Sequence, residues 1–278
     1  MEYFLRFPGG RDRALTFSYD DGVDQDERVI SVLKKHGLKG TFNICGDRFW
    51  PEDTPYPAGK IARRIPESKF REIYLNDAVE VAIHGFRHMR MACLPKGSAA
   101  YEIIADRKKL EDLTGRLVTG GAYANGSYND DVIQALGTCG IDYFRTTKNT
   151  HSFLLPENWL AWHPTCHHKD PQLMSMAEDF LSRQAKVFPT VFYLWGHGYE
   201  FERDDNWDVL ENFAERMAGH SNVWYATNGE ICSYVKASRA LRASADGSML
   251  HNPTAISVWL SCDGNIVEIR PGETVRLW

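Results

Sequence analysis

Two adjacent carboxylates, Asp20 and Asp21, follow the apolar stretch 13–19 and precede Gly22. Carboxylates placed side by side can divide labour, because one can bind a divalent cation while the other takes a proton from water. The same residues are also common in an ordinary acidic turn between two elements. Taken alone, the pair permits a catalytic role but favours the turn.

Two histidines four residues apart, His84 and His88, directly follow the apolar run 79–83. Two imidazoles at this spacing can reach one metal ion. Gly85 occupies the place where the zinc-protease signature has Glu, and it disfavours the helix that carries that signature. The pattern leaves two alternatives open, metal ligands or histidines that serve only the surface or the core.

A single histidine, His197, follows the strongly apolar run 190–195. A histidine at the end of a strand suits a general acid, because its ordinary pKa lies near neutrality. A histidine that is merely solvated or hydrogen-bonded would give the same pattern, so His197 alone is a weak signal.

Short apolar runs alternate with amphipathic stretches, which favours βα units around a parallel sheet or barrel. The pattern predicts strands over 13–19, 79–83 and 159–165, and a helix over 98–114 capped by Ser98. Barrel enzymes carry their chemistry where the carboxyl ends of the strands meet. Because each of the three groups ends a separate strand or apolar run, we expect them to meet at that edge.

Two stretches fall outside this alternation. The segment 47–66 is irregular and rich in proline, and we interpret it as an inserted loop. The stretch 240–278 lacks a helical period and contains short alternating segments separated by turn residues. The strands predicted there are 255–260, 265–269 and 273–277. We therefore expect a barrel over 1–238 and a β appendage over 239–278 that packs on it.

In this order, the three groups resemble the motifs of the polysaccharide deacetylases, a family of metal-dependent carbohydrate esterases with the nodulation-factor deacetylase homology domain. The matching segments are Ser18 to Gly22, His84 to His88 and Leu194 to His197, and the resemblance spans 13–236. It implies an α/β fold, a distorted and incomplete (β/α) barrel.

The resemblance also implies a role for each residue. Asp20 would be the general base and His197 the general acid. Asp21, His84 and His88 would bind one divalent ion. Zinc comes first for such a ligand set, with cobalt, nickel, manganese or iron(II) as alternatives.

The third motif of the family, an arginine followed shortly by Pro-Tyr-Gly, is altered in this chain. Ala122 stands where the arginine would fall, and Asn125 where the tyrosine would fall. That arginine orients the base, and the sequence leaves Arg87 and Arg145 open as replacements. The backbone N–H of Asn125 can still serve the oxyanion, because a backbone donor tolerates a change of side chain.

Further candidates for substrate binding are Tyr123, Trp195, Glu200 and His168. Glu200 lies just beyond His197 and could touch substrate or supply the carboxylate that holds it. Trp195 offers a flat face for a sugar ring. Each also has a structural interpretation: core packing for the aromatic rings, an exposed salt bridge for Glu200, and an ordinary surface position for His168.

The expected reaction is removal of an acetyl group, N-acetyl rather than O-acetyl, from an acetylated sugar or polysaccharide. Two alternatives are hydrolysis of another non-peptide C–N amide bond in a small metabolite, and a carbohydrate-binding relative without turnover. The third-motif change motivates the second alternative.

The charge and the hydropathy of the sequence argue against two kinds of partner, nucleic acids and membranes. With 32 basic and 37 acidic residues, the formal charge of −5 gives no basic footprint for nucleic acid. The sequence has no apolar run of about 18 residues, so we expect no membrane helix. Residues after Met1 do not resemble a signal peptide, and a cytoplasmic location is expected unless a leader was removed before this numbering. The oligomeric state is left open.

Overall fold

The computed structural model describes residues 2–183, 185 and 187–278. The strands, in chain order, are β1 (Tyr3–Arg6), β2 (Arg13–Asp20), β3 (Gly40–Ile44), β4 (Val79–Ile83), β5 (Gly120–Ala122), β6 (Tyr143–Arg145), β7 (Cys166–His167), β8 (Thr190–His197), β9 (Val223–Tyr225), β10 (Arg242–Ala243), β11 (Met249–His251), β12 (Val258–Cys262), β13 (Asn265–Ile269) and β14 (Thr274–Arg276). The α-helices are α1 (Asp26–Lys35), α2 (Phe70–Tyr74), α3 (Lys96–Thr114), α4 (Asp130–Thr138), α5 (Leu173–Ser182), α6 (Gly198–Arg203), α7 (Trp207–Met217) and α8 (Asn228–Arg239).

An eight-stranded parallel sheet forms the centre of the molecule. Its order is β6-β5-β4-β3-β2-β8-β7, and β9 pairs with the first residues of β2. Every residue of β2 is buried, as expected for a central strand with helices on its flanks. The prediction of a distorted, incomplete (β/α) barrel is confirmed.

The register of the sheet brings three strand ends together. Asp20, the last residue of β2, lies opposite Asn43 on β3 and His197 on β8. Strand β4 runs parallel to β3, and its last residue, Ile83, lies opposite Ile44 and directly precedes His84. Since all these strands are parallel, their carboxyl ends share one edge of the sheet.

Two local predictions are wrong. Ser98 does not cap α3, because the helix begins at Lys96 after Pro95, and Ser98 lies inside the first turn. The strand predicted over 159–165 is replaced by a short 3₁₀ turn, Trp159–Ala161, and the two-residue strand β7 that follows it. This segment crosses between the two edges of the sheet: Trp162 bridges to Arg145 of β6, and Cys166 and His167 pair with β8.

The insertion and the last forty residues have different structures. Residues 47–66 contain turns and isolated bridges and no helix or strand, so the prediction of a loop is confirmed. The C-terminal strands lie in two antiparallel three-stranded sheets, β1-β12-β13 and β10-β11-β14. The first of these includes β1, which the sequence pattern did not reveal. Tyr234 of α8 links this sheet to the barrel, because its hydroxyl donates to the Arg6 carbonyl and accepts from the Trp259 N–H at 2.9 Å.

Among the helices of the described residues, none has the length and apolarity needed to cross a bilayer.

Candidate active site

Asp20 lies at the end of β2 and is 2% exposed. Its Oδ1 accepts from Asn43 Nδ2 at 2.8 Å, and its Oδ2 accepts from the Arg145 guanidinium. The Nε2 atoms of His84 and His197 lie 3.8 and 3.9 Å from Oδ2. Burial raises the pKa of Asp20, but the charges of Arg145 and the two histidines outweigh it and lower the pKa to about 2. Asp20 is therefore held as a carboxylate.

The structure decides between the two arginines that the sequence left open. Arg145 ends β6, is fully buried and donates from Nε to Ser18 Oγ at 3.1 Å as well as to Asp20. Its guanidinium carbon lies 4.4 Å from the centre of the Trp195 ring. Arg87 instead binds Glu102 of α3. The cation beside Asp20 is thus supplied by β6.

Asp21, His84 and His88 form a group of one carboxylate and two imidazoles whose ligand atoms all lie within 4.8 Å of one another. The His88 Nε2 atom is 3.4 Å from Asp21 Oδ1. Asp21 has φ +85° and His88 has φ +60°, a left-handed backbone that non-glycine residues adopt at a cost. These turns direct the two side chains toward each other.

The donor atoms suit a divalent transition-metal ion. His84 Nδ1 is 2.8 Å from the Ala122 carbonyl, which leaves Nε2 with a free lone pair when Nδ1 donates. Burial lowers the pKa of His84, and burial with the nearby charge of His84 lowers the pKa of His88 to about 4. Neutral imidazole is the form that binds metal, and three protein ligands leave positions for water and substrate.

Helix α3 supplies two buried carboxylates that hold the histidine loop and that the sequence analysis did not single out. Asp106 accepts from the backbone N–H groups of Gly46 at 2.6 Å and His84 at 2.9 Å. Glu102 accepts from the Arg87 N–H at 2.8 Å. Burial raises the pKa of Asp106 to about 8. The only sequence signal was an acidic pair at helical spacing i, i+4.

Asp21 has a second unforeseen partner in Arg64, which lies in the insertion. Arg64 donates from Nη2 to Asp21 Oδ1 at 2.7 Å and from Nη1 to the Asp21 carbonyl at 2.8 Å. Burial raises the pKa of Asp21, but Arg64 and the neighbouring histidines outweigh it and lower the pKa. The insertion therefore reaches the candidate metal ligands.

His197 lies across the site and is held by Glu200, the third residue of α6. Glu200 Oε2 accepts from the His197 N–H at 3.2 Å and lies 3.1 Å from His197 Nδ1. The same oxygen is 3.0 Å from His167 Nε2. Burial lowers the pKa of His197, but the hydrogen bond with Glu200 and the charges of Asp20 and Asp21 outweigh it and raise the pKa.

Known proteins resemble this chain in these motifs and in its fold. The polysaccharide deacetylase sequence family matches residues 8–144, which include the Asp20–Asp21 and His84–His88 motifs. Residues 8–144 therefore belong to the polysaccharide deacetylase family. A comparison with curated protein sequences found no match.

Solved structures of this family share the fold. A protein from Mycobacterium smegmatis described as a polysaccharide deacetylase is 16% identical, with a TM-score of 0.58 over 84% of this chain and 94% of that one. A family 4 carbohydrate esterase from Streptomyces lividans, solved with acetate, is 14% identical, with a TM-score of 0.51 over 78% and 93%.

Three other structures of the family have TM-scores below 0.5 against this chain. A pseudoenzyme of the family from Bacillus anthracis is 17% identical, with a TM-score of 0.49 over 82% of this chain and 68% of that one. The chain spans only 44% and 61% of the length of two further deacetylases, from Bacillus cereus and Streptococcus pyogenes.

Of the remaining candidate residues, one is exposed, Asn125, and three are buried, Tyr123, Trp195 and His168. Asn125 is exposed in the turn after β5, with φ +56°. Tyr123 lies in the core, where its hydroxyl donates to the Leu160 carbonyl at 2.6 Å. Trp195 is 8% exposed and covers Arg145, so its ring supports the cation beside Asp20. His168 is buried against Phe201, with ring centres 4.1 Å apart, and its Nε2 lies 3.4 Å from the Glu200 oxygen that His167 also contacts.

Proposed function

We propose that the protein is a metal-dependent hydrolase that removes an acetyl group, N-acetyl rather than O-acetyl, from an acetylated carbohydrate. One observation carries the proposal. A buried carboxylate base, Asp20, lies between the imidazole of His84 in the candidate metal group and the imidazole of His197, with Nε2–Oδ2 distances of 3.8 and 3.9 Å. This is the set of groups that water-mediated amide hydrolysis needs.

Asp20 would take the proton from the attacking water. Asn43 binds one of its carboxylate oxygens and Arg145 the other, which fixes the orientation of the carboxylate. Its pKa of about 2 keeps it ionised and able to accept a proton throughout the physiological range. A general base must first be deprotonated, and this environment ensures that it is.

Asp21, His84 and His88 would hold one divalent ion, with zinc as the first choice. When bound there, such an ion supplies Lewis acidity, which lowers the pKa of water and polarises a carbonyl. The contact between His84 and the Ala122 carbonyl keeps the ring oriented. The backbone N–H of Asn125, an exposed residue, is our candidate for the protein's own donor to the oxyanion.

His197 would donate a proton to the leaving amine. As the C–N bond breaks, its electron pair takes that proton, and the new bond from the water oxygen completes acetate. Glu200 holds Nδ1 and stabilises the charged imidazolium, so that Nε2 is the donor toward the site. The raised pKa of His197 favours its protonated form.

The test combines acetate release with metal content. Protein reconstituted with Zn²⁺ should bind about one ion per chain and release acetate from N-acetylated oligosaccharides, and chelation should abolish both. Bound metal without acetate release would favour another amide substrate. Neither metal nor acetate would favour a carbohydrate-binding relative, and either result would overturn the proposal.

A further inference from the structure

A cavity of about 260 Å³ lies beside the candidate metal group, in the insertion 47–66. Its lining includes Arg48, Lys60 and Arg64, with Asp47 as its one acidic member. Arg64 joins the cavity to the site, because the same guanidinium binds Asp21 Oδ1 at 2.7 Å. A ligand in this cavity would therefore lie next to the group that is proposed to act on the acetyl carbonyl.

The charges in this cavity are poorly compensated. Within the described part of the chain, neither Arg48 nor Lys60 has a carboxylate within ion-pair distance, 4.0 Å. The neighbouring Arg63 shows the contrast, because it binds both Asp24 and Glu202. A chain with a formal charge of −5 thus leaves two cations unpaired at one place beside its candidate site.

Arg64 can contribute although Asp21 already binds it. A guanidinium has five N–H donors, and Asp21 accepts two of them. Trp50 lines the same cavity, and Lys60 Nζ lies 5.3 Å from the centre of its ring. An indole face next to several cationic donors suits a sugar ring that carries a negatively charged group.

We propose that this cationic pocket, lined by Arg48, Lys60 and Arg64, binds an anionic group, a carboxylate or a phosphate, on the acetylated carbohydrate. The preferred substrate is then an acidic glycan rather than a neutral one. This inference rests on the proposed function and extends it to the substrate class. Focusing of charge at a cleft is a known means of selecting a charged substrate.

The test compares kcat/KM on three matched N-acetylated oligosaccharides: one neutral, one with a uronic acid residue and one with a sugar phosphate. We expect the wild-type protein to favour at least one acidic substrate by about tenfold, and added salt to reduce that preference. The better acidic substrate identifies the anionic group as carboxylate or phosphate.

The double variant Arg48→Gln, Lys60→Gln should lower the ratio of acidic to neutral kcat/KM to within about threefold of one. The ratio cancels any general loss of activity. The matched control Lys34→Gln, Arg242→Gln removes two exposed positive charges from α1 and β10 and should keep the wild-type ratio. A wild-type ratio near one, or a ratio that the double variant preserves, would overturn the inference.

Failure of the proposed function gives a different result. If the wild-type protein hydrolyses none of the three substrates, calorimetric titration still measures the binding of each oligosaccharide. Tighter binding of an acidic oligosaccharide that the double variant loses would support the cationic pocket and overturn only the reaction. Equal binding of all three, or no binding, would overturn the pocket.

Discussion

Two groups of one carboxylate and two imidazoles lie at the same edge of the sheet. The β2–β4 group is Asp21, His84 and His88, and the β7–β8 group is Glu200, His167 and His197. In each, the potential ligand atoms lie within 4.8 Å of one another. Residue types and the distances between ligand atoms would, by themselves, assign both groups the same role, that of a metal site.

Their neighbours make them different. In the β7–β8 group, Glu200 Oε2 is already within 3.1 Å of both imidazoles, and Oε1 lies 3.1 Å from Arg203 and 3.4 Å from Lys169. In the β2–β4 group, Asp21 Oδ1 also accepts from Arg64, at 2.7 Å, but His84 Nε2 lies 3.8 Å from the nearest carboxylate oxygen of the described residues, and Nδ1 is held by a backbone carbonyl. On the proposed function, the first arrangement handles protons, whereas the second offers lone pairs to a cation.

The largest expected effect separates the two groups by metal content. The double variant His84→Ala, His88→Ala should lose its metal and all measurable deacetylation, because only Asp21 would remain as a ligand. His167→Ala should retain about one ion per chain. His251→Ala, in the distant strand β11, is the matched control. Stoichiometric metal in the double variant, or its loss from His167→Ala, would contradict the distinction.

The second-largest effect is expected on turnover when Asp20, which contacts imidazoles of both groups, is replaced. Asp20→Asn should keep the metal, because the three ligands remain, and should lower kcat by about 10²–10⁴-fold, the scale for one acid–base group. Metal analysis and steady-state kinetics on one preparation measure both quantities. Near-wild-type turnover would show that Asp20 is not the base, and if Asp21→Asn also kept its metal, the two roles would have to be exchanged.

His197→Ala should also keep the metal, and its rate loss should depend on the leaving group. For an N-acetyl sugar we expect a loss of about 10²-fold, because the poor amine leaving group needs its proton. For an activated aryl acetate the loss should be much smaller. An equal loss for both substrates would argue against proton donation by His197.

The smallest expected effect is a change of pH profile. The hydrogen bond with Glu200 helps to raise the pKa of His197, which extends the protonated form to higher pH. In Glu200→Gln, the pKa of His197 should fall, so the alkaline limb of kcat/KM should move to lower pH, with a loss of about tenfold near neutrality. Glu178→Gln, an exposed change on α5, is the control. An unmoved alkaline limb would assign Glu200 a purely structural role.

Much of the arrangement follows from local sequence. Asp20, His84 and His197 each end or directly follow an apolar run, and parallel strands bring their carboxyl ends to one edge. The alternation of apolar and amphipathic stretches, together with the family resemblance that these motifs carry, predicted the barrel and the proximity of these residues.

Local sequence could not predict the side-chain contacts that cross the sheet. Arg87 and Arg145 were equal candidates for the cation beside Asp20. The residues that a side chain can contact depend on the order of the strands in the sheet, which the local sequence does not show. Arg145 ends β6 and reaches across the barrel interior, whereas Arg87 turns toward α3. Arg64 gave no signal, because its loop has no periodicity.

The adjacent histidines show the limit most clearly. The sequence determined that two adjacent histidines follow the predicted strand 159–165, and it pointed to His168 as the candidate. The tertiary structure decided how each is used: both Nε2 atoms approach Glu200 Oε2, that of His167 at 3.0 Å and that of His168 at 3.4 Å. His168 is buried because Phe201 of α6 packs against its ring, with ring centres 4.1 Å apart, whereas His167 stays partly exposed. That contact joins residues far apart in the chain, so local sequence carries no signal of it.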